Sequence, residues 1–172
     1  EMSEILRDRA EDTPWAWRMF LKDRVVDVDV FITTFGEDLS TIRRTVSAAM
    51  AMQGAHVVWV LDDGDDDDLR DLAAELGARY VRRLAHTGTK AGNINHALSL
   101  SKAELFAIFD ADFVPDPSFL HETVPFFAED DVAFVQTPQV YGNLDSIISR
   151  GAGYMQSVFY RLIQPGRNRF NA

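Results

Sequence analysis

The sequence predicts an α/β fold, a doubly wound and mostly parallel sheet with helices on both faces. Short β-branched runs alternate with longer stretches of helical period, the order that builds parallel strands joined by crossover helices. Glycines close two of the helical stretches, at Gly54 and Gly77. A length of 172 residues, 47% apolar and 26% charged, suffices for one ordinary core of a globular protein.

The elements follow in order. "VDVDVFITTF" (26–35) alternates strictly at first and reads as the first strand. From about Asp38 a helix places Leu39, Ile42, Val46, Ala49 and Met50 on one face. "HVVWVL" (56–61) is the second strand, after which Leu69, Leu72, Ala73 and Leu76 recur at i, i+3, i+4 and i+7 before Gly77. "ARYVRR" (78–83) is a short third strand near an edge, and "AGNINHALSLS" (91–101) is helical in its later part. "AELFAIFDAD" (103–112) is a buried strand. "DPSFLHETVPFFAED" (116–130) starts a helix that Pro125 interrupts, and "DVAFVQTP" (131–138) is a last strand.

Beyond this run, Ile147, Ile148, Gly151, Met155, Val158, Phe159 and Leu162 form the stripe of a long amphipathic helix, stopped near Pro165 and Gly166. The predicted organisation is a helical lead-in over 1–24, with Trp15, Trp17 and Phe20 as packing anchors, then an α/β domain over 25–142, then the amphipathic helix within 143–172.

Composition excludes several function classes. The formal charge of −10, from 27 acidic against 17 basic residues, repels a phosphate backbone, so no nucleic-acid partner is expected. Without cysteine there is neither a disulfide framework nor a thiolate metal site. His56, His86, His96 and His121 show no metal-ligand spacing and read as surface or capping residues. No run of 18 apolar residues occurs, and the start at Glu1 resembles no signal peptide, so the chain is expected to be a soluble piece of a larger protein.

In open parallel sheets, ligands sit beyond the carboxyl ends of the strands, where loops and helix N-termini converge. The polar residues of interest all fall at such ends: Thr33, Thr34 and Glu37; Asp62 and Asp63; Asp110 and Asp112; Gln136 and Thr137. Residues 62–68 hold six aspartates in seven positions. They are not an EF-hand loop, because Asp68 and Ala74 stand where counting from Asp63 requires glycine and glutamate. Asp65 to Asp68 read as the solvated, capped start of a helix. Asp62 and Asp63, closing a hydrophobic strand, are expected to point carboxylates into the crevice.

The "FDAD" pair, Asp110 and Asp112, has the spacing to hold a hard divalent ion that keeps several waters and bridges a diphosphate. Such an ion is needed, since a carboxylate and a phosphate oxygen about 4 Å apart repel by roughly 4 kcal/mol at an effective dielectric near 20. "HTGTKAGN" (86–93) lacks the P-loop spacing, yet Lys90 beside Gly92 at a helix start offers a cation and backbone donors to an anion.

Taken in order, "ITTFGE", "LDDG", "KAGNINHAL", "DAD" and "VQTPQ" resemble a family 2 glycosyltransferase of the processive, cellulose-synthase-like kind. The resemblance implies the N-terminal part of a GT-A catalytic domain, truncated on its C-terminal side. It implies transfer, with inversion, from a UDP-sugar (UDP-glucose by family default) to a growing β-glucan such as cellulose. It also implies an Mg²⁺ or Mn²⁺ cofactor, a glycan acceptor, and a parent protein whose transmembrane helices hold this domain at the cytoplasmic face of the inner or plasma membrane. By the same resemblance Thr33, Thr34 and Glu37 line the nucleotide pocket, Asp63 contacts uracil or ribose, and Lys90, Gly92 and Asn93 approach the nucleotide and its phosphates. Asp110 and Asp112 form the DxD pair, Asp112 being the direct metal ligand, and Gln136, Thr137, Pro138 and Gln139 border the acceptor.

The sequence departs from that family in two ways. Phe113 follows the DxD where cellulose synthases often carry histidine, which removes a third protein ligand. After Asp131 the only carboxylate is Asp145, and no tryptophan follows Trp59, so the family's TED base motif and QxxRW acceptor motif are absent. The chain is therefore expected to bind donor without transferring sugar. Two other readings compete: a haloacid-dehalogenase-like phosphatase with Asp110 as nucleophile and Asp112 as acid, and a non-enzymatic interaction module.

Overall fold

The computed structural model describes residues 19–21, 24–83, 87–140 and 160. The first compact unit spans Glu1–Ala133 and the second Phe134–Ala172. In the first, two short strands, β1 (Met19–Leu21) and β2 (Arg24–Val26), pair antiparallel. The main sheet follows, with β3 (Val28–Thr34), α1 (Leu39–Met50), β4 (Val57–Asp62), α2 (Asp67–Glu75), β5 (Arg79–Arg82), α3 (Thr89–Leu100) and β6 (Leu105–Asp110) in chain order. A short α4 (Phe119–Thr123) and a 3₁₀ turn (Val124–Ala128) complete it, with Pro125 at the point where the helix tightens, as its missing N–H and fixed φ require.

The four strands of this sheet lie in the order β5-β4-β3-β6, all parallel. The alternation of strand side chains separates two cores. Val30, Ile32, Val58 and Val60 face α1 and α2, while Phe31, Trp59 and Leu61 face α3 through Ala97 and Ile94. Each fully buried Ile, Leu or Phe contributes roughly 1.5–3 kcal/mol of transfer free energy, so β3, buried at every position, is the spine of the unit. The predicted arrangement of helices on both faces of a parallel sheet is therefore present.

Helix boundaries follow local chemistry. Asp38 caps α1 through the Ser40 N–H at 3.0 Å, and Asp66 caps α2 through Asp68 and Leu69. His56 bridges the carbonyls of Gly54 and Ala49 beyond the end of α1, the structural role expected of it. α3 is fastened at both ends: Asn93 donates to the Leu61 carbonyl at 3.0 Å, and Ser101 donates to Asp29.

The structure corrects several expectations. Met19–Leu21 is a strand where a helical lead-in over 1–24 was expected: it pairs with Arg24–Val26, Met19, Leu21 and Val26 bury their side chains, and Met19 packs over Gly54. Trp15 and Trp17 lie outside the described residues. α3 begins at Thr89, earlier than the sequence suggests, since the Gly88 turn opens it directly.

β6 is not buried on both faces. It is an edge of the described sheet, with Phe106 47% and Ile108 41% exposed, while Ala107 and Phe109 pack inward. Residues 132–140 form no strand. An apolar run becomes one only where a neighbouring ladder takes its N–H and C=O groups, and among the described residues none pairs with it; Phe134 and Val140 are exposed. The amphipathic helix of 143–172 falls outside the described residues apart from position 160. Among the described residues no helix is long and apolar enough to cross a membrane.

Candidate functional site

At the carboxyl end of β4 two adjacent aspartates have opposite surroundings. Asp62, 1% exposed, accepts from the Gly64 N–H at 2.7 Å, the Asp66 N–H at 2.8 Å and the Tyr80 hydroxyl, with Arg82 Nε 3.5 Å away. Its carboxylate shapes the turn from strand to helix and is not turned into the crevice, which corrects the expectation for this residue. Strand alternation sends Asp63 to the other face. There both its oxygens accept from Arg83, Oδ1 from Nε at 2.6 Å and Oδ2 from Nη2 at 2.7 Å.

The remainder of the aspartate run is a helix start, as predicted. Asp66 is the cap, and Asp67 and Asp68 lie exposed in the first turn, where the helix dipole favours them. Asp65 precedes the cap with φ at 62° and pairs with Arg82 at 2.8 Å.

Loss of solvation, with the hydrogen bond to Asp62 next, pushes the Tyr80 phenol up to about 12 from 10.0, against the opposing pull of Arg82. The folded value lies above the unfolded one, so this contribution to stability is complete below pH 10.0 and is lost as pH rises through about 12. An ultraviolet phenolate titration should show one tyrosine ionising late, and Tyr80→Phe should remove that late step. A late step that survives the substitution would assign it to another tyrosine.

β3 contributes Thr33, Thr34 and the loop to Glu37. Thr33 lies opposite Asp110 in register and reaches its Oδ1 and the Phe109 carbonyl, each at 3.4 Å. Thr34, buried, donates to the Leu61 carbonyl at 3.2 Å, so its hydroxyl holds β3 to β4. Glu37 is exposed and accepts from the Phe35 N–H at 2.7 Å, closing the loop on itself. A Cβ on Gly64 would stand 3.3 Å from the Gly36 nitrogen, so this loop rests against the Asp62–Gly64 turn.

The start of α3 faces the tip of β6. Gly88 turns the chain with φ at 79°, and the Gly92 N–H bonds the Gly88 carbonyl at 2.8 Å. Only glycine fits at 92, where a Cβ would overlap the Thr87 carbonyl oxygen and Nη1 of Arg83. Lys90 Nζ, half-exposed, bonds Oδ1 of Asp110. Asn93 is 1% exposed, and its Oδ1 finds no donor among the described residues. Its amide is thus a structural tie to β4. Asp112, one turn past β6, is exposed, and the Phe113 N–H closes that turn on the Asp110 carbonyl at 3.0 Å.

Thus Asp63, the α3 start with Lys90 and Gly92, Thr33 and Asp110 meet through shared contacts at the carboxyl ends of β3, β4 and β6. Among the described residues no three His, Asp or Glu side chains group as a metal cage. The two carboxylates of Asp110 and Asp112 nonetheless suit a hard ion that keeps waters and takes its other oxygens from a ligand. Gln136, Thr137, Pro138 and Gln139 belong to the second unit, where Gln136, Pro138 and Gln139 are exposed. A separate cleft of about 370 Å³ between α1 and α2, crossed by the Arg43–Glu75 ion pair, lies on the opposite side of the sheet from α3.

Sequence reasoning missed two residues. Arg83 reads as one more surface charge, although the alternation in "ARYVRR" places it with buried Val81 on the α3 face. Phe35, 73% exposed at the tip of β3, is a large aromatic held out beside the crevice, and its exposure is a property of the folded loop alone.

Comparison with known proteins fits this layout. The cellulose synthase catalytic subunit [UDP-forming] of Pseudomonas fluorescens (strain SBW25) is 40% identical over 156 residues, which are 84% of this chain and 21% of that protein. The subunit of the same name from Xanthomonas axonopodis pv. citri (strain 306) is 38% identical over the same shares. Cellulose synthase 1 of Komagataeibacter xylinus is 34% identical, with 84% of this chain matching 10% of its length. The chain therefore spans about a fifth or less of the relatives it matches.

Among solved structures, glucosyl-3-phosphoglycerate synthase from Mycobacterium tuberculosis, in complex with Mn²⁺, UDP and glucosyl-3-phosphoglycerate, superposes with a TM-score of 0.51. It is 21% identical and covers 60% of this chain and 40% of that one, a likeness of fold. The profile described as glycosyl transferase family 2 matches residues 29–170, from the central strand onward and well over half of the chain, and on that match the protein belongs to glycosyl transferase family 2.

Proposed function

We propose that this chain is the donor-binding part of an inverting, metal-dependent, processive glycosyltransferase that takes a UDP-sugar, UDP-glucose by the family default, and extends a β-glucan such as cellulose. The observation that supports it best is the contact series Asp63–Arg83–Thr89 and Lys90–Asp110, which gathers a strand-tip carboxylate, a helix start and the first member of the acidic pair on one side of the sheet. Family membership favours this reading over the phosphatase.

In this reading the nucleoside lies at the β3 and β4 tips. Asp63 accepts from a donor group of the base or ribose, and exposed Phe35 offers a face to the base. The diphosphate lies at the α3 start, where Lys90 meets its charge. Asp110 and Asp112 would hold Mg²⁺ or Mn²⁺, which when bound supplies positive charge to the departing diphosphate. Lys90, which donates to Asp110, would also reach toward a phosphate oxygen. The acceptor borders Gln136, Thr137, Pro138 and Gln139. A general base must lie within hydrogen-bond reach of the acceptor hydroxyl. The chain carries neither the TED nor the QxxRW motif, so these residues bind donor without transferring it. The acceptor glycan, the rest of the catalytic domain, the membrane helices and a site at the cytoplasmic membrane face belong to the parent enzyme.

The test is calorimetric titration of UDP, UDP-glucose and UDP-N-acetylglucosamine, each with and without Mn²⁺ or Mg²⁺. Metal-dependent binding of UDP is expected. Absence of heat at millimolar UDP with either metal would overturn the reading and leave an interaction module.

A further inference from the structure

Arg83 stands between two parts of the site that the chain itself separates by 20 or more residues. It is 6% exposed, immediately after edge strand β5, a place where an arginine would ordinarily reach water. Instead its guanidinium turns inward. Nε and Nη2 hold the two oxygens of Asp63 in the forked geometry that only arginine offers. Nη1 donates to the Thr87 carbonyl at 2.5 Å, and Nη2 donates to the Thr89 carbonyl at 2.9 Å. Those two carbonyls flank Gly88, the left-handed residue that opens α3, and Thr89 itself has φ at 46°. Gly92 is bare because its Cβ would strike Thr87 and Arg83. One planar cation thus fixes the β4 carboxylate and the strained turn carrying Lys90 at a set separation.

We propose that Arg83 is a positioning residue. It locks Asp63 and the Lys90 turn into one rigid unit, so that the nucleoside and diphosphate ends of a single ligand are bound cooperatively. This rests on the nucleotide reading given above. A hydrogen-bonded network with two anchoring points transmits displacement of one to the other, and double-mutant cycles measure the coupling. Lysine at 83 would keep the charge but lose the fork, so the conservative variant would not restore the coupling.

Two measurements test it. The first needs no ligand: backbone amide hydrogen exchange in Asp63→Asn, where one carboxylate oxygen is replaced by a donor facing Arg83. Exchange at residues 89–92 is expected to speed by about tenfold or more, while amides of α1 and α2 stay as in the native chain. The second is a UDP–Mn²⁺ titration of Asp63→Asn, Lys90→Gln and their combination. The losses should be non-additive by about tenfold in the native background and additive with Arg83→Gln or Arg83→Lys. A residue that merely stabilised the fold would lower every affinity in proportion and leave the coupling intact.

If the Arg83 variants do not fold, the exchange measurement on Asp63→Asn decides. UDP binding with additive losses, or with coupling that persists in the Arg83 variants, would overturn the clamp and leave the nucleotide reading standing. A native chain that binds no UDP would overturn both, and unchanged exchange at 89–92 would overturn the clamp by itself.

Discussion

Asp112→Ala is expected to lower the affinity for UDP in the presence of Mn²⁺ by about a hundredfold or more and to leave the thermal midpoint nearly unchanged. Asp112 is exposed one turn beyond β6, so its removal opens no cavity and orphans no buried donor. Surface substitutions of this kind stay within about 0.5 kcal/mol. Its cost falls on the ion. The chain offers two carboxylates here and no third ligand nearby among the described residues, so losing one would halve the protein charge offered to a divalent cation. Changing groups that only orient a metal's ligands already costs about 10–100-fold, and loss of a ligand lies at or above the top of that range.

Removing metal with a chelator should reproduce the loss in the native chain and add little to Asp112→Ala. Asp110→Asn should differ in kind, because Asp110 also accepts from Thr33 and Lys90. Calorimetry with and without chelator reads all three. A variant that binds as the native chain does, with unaltered metal dependence, would remove the acidic pair from the site.

The contrast among the aspartates shows what the sequence can and cannot convey. Elements with a strong period were legible. The β3 and β4 runs, the α1 stripe and the glycine stops recur in the structure because burial on one face dictates their spacing. The acidic pair after β6 and the lysine beside Gly92 were legible as well, because strand ends in a parallel sheet point to one crevice.

What failed depended on partners that the local pattern does not name. The 131–138 run has the composition of a strand, but composition does not supply the neighbouring edge. Met19–Leu21 reads as part of a helical lead-in until Val26 offers it a ladder. Arg83 is unremarkable until Asp63 and the Gly88 turn close around it. Nor does the pair "DD" say which member is consumed by the fold, because that depends on which face of β4 carries Tyr80 and which carries Arg83.

Asp62→Ala makes this distinction measurable, and its effect falls on stability. The Gly64 and Asp66 amides and the Tyr80 hydroxyl all donate to Asp62 at the end of a fully buried stretch of β4. Each buried donor left without an acceptor costs about 1–3 kcal/mol, and water reaches the exposed side of Gly64 more easily than the others, so the sum is about 3–5 kcal/mol. For a unit of this size the midpoint should fall by roughly 10 °C.

Asp62→Asn should lose less. The side chain keeps its volume and one accepting oxygen, but its NH₂ group faces either the Gly64 N–H or the Asp66 N–H and the Tyr80 hydroxyl. Tyr80→Phe removes one of the three bonds and should cost about 1 kcal/mol. Because Asp62 also sets where the chain leaves β4, any UDP binding that survives below the lowered midpoint should weaken along with the stability, as the neighbouring Asp63 loses its fixed direction. Thermal unfolding of the three variants at neutral pH decides the matter. A midpoint shift of only a degree or two in Asp62→Ala would mean that solvent replaces the carboxylate, and the division of labour between these adjacent aspartates would then have no energetic basis.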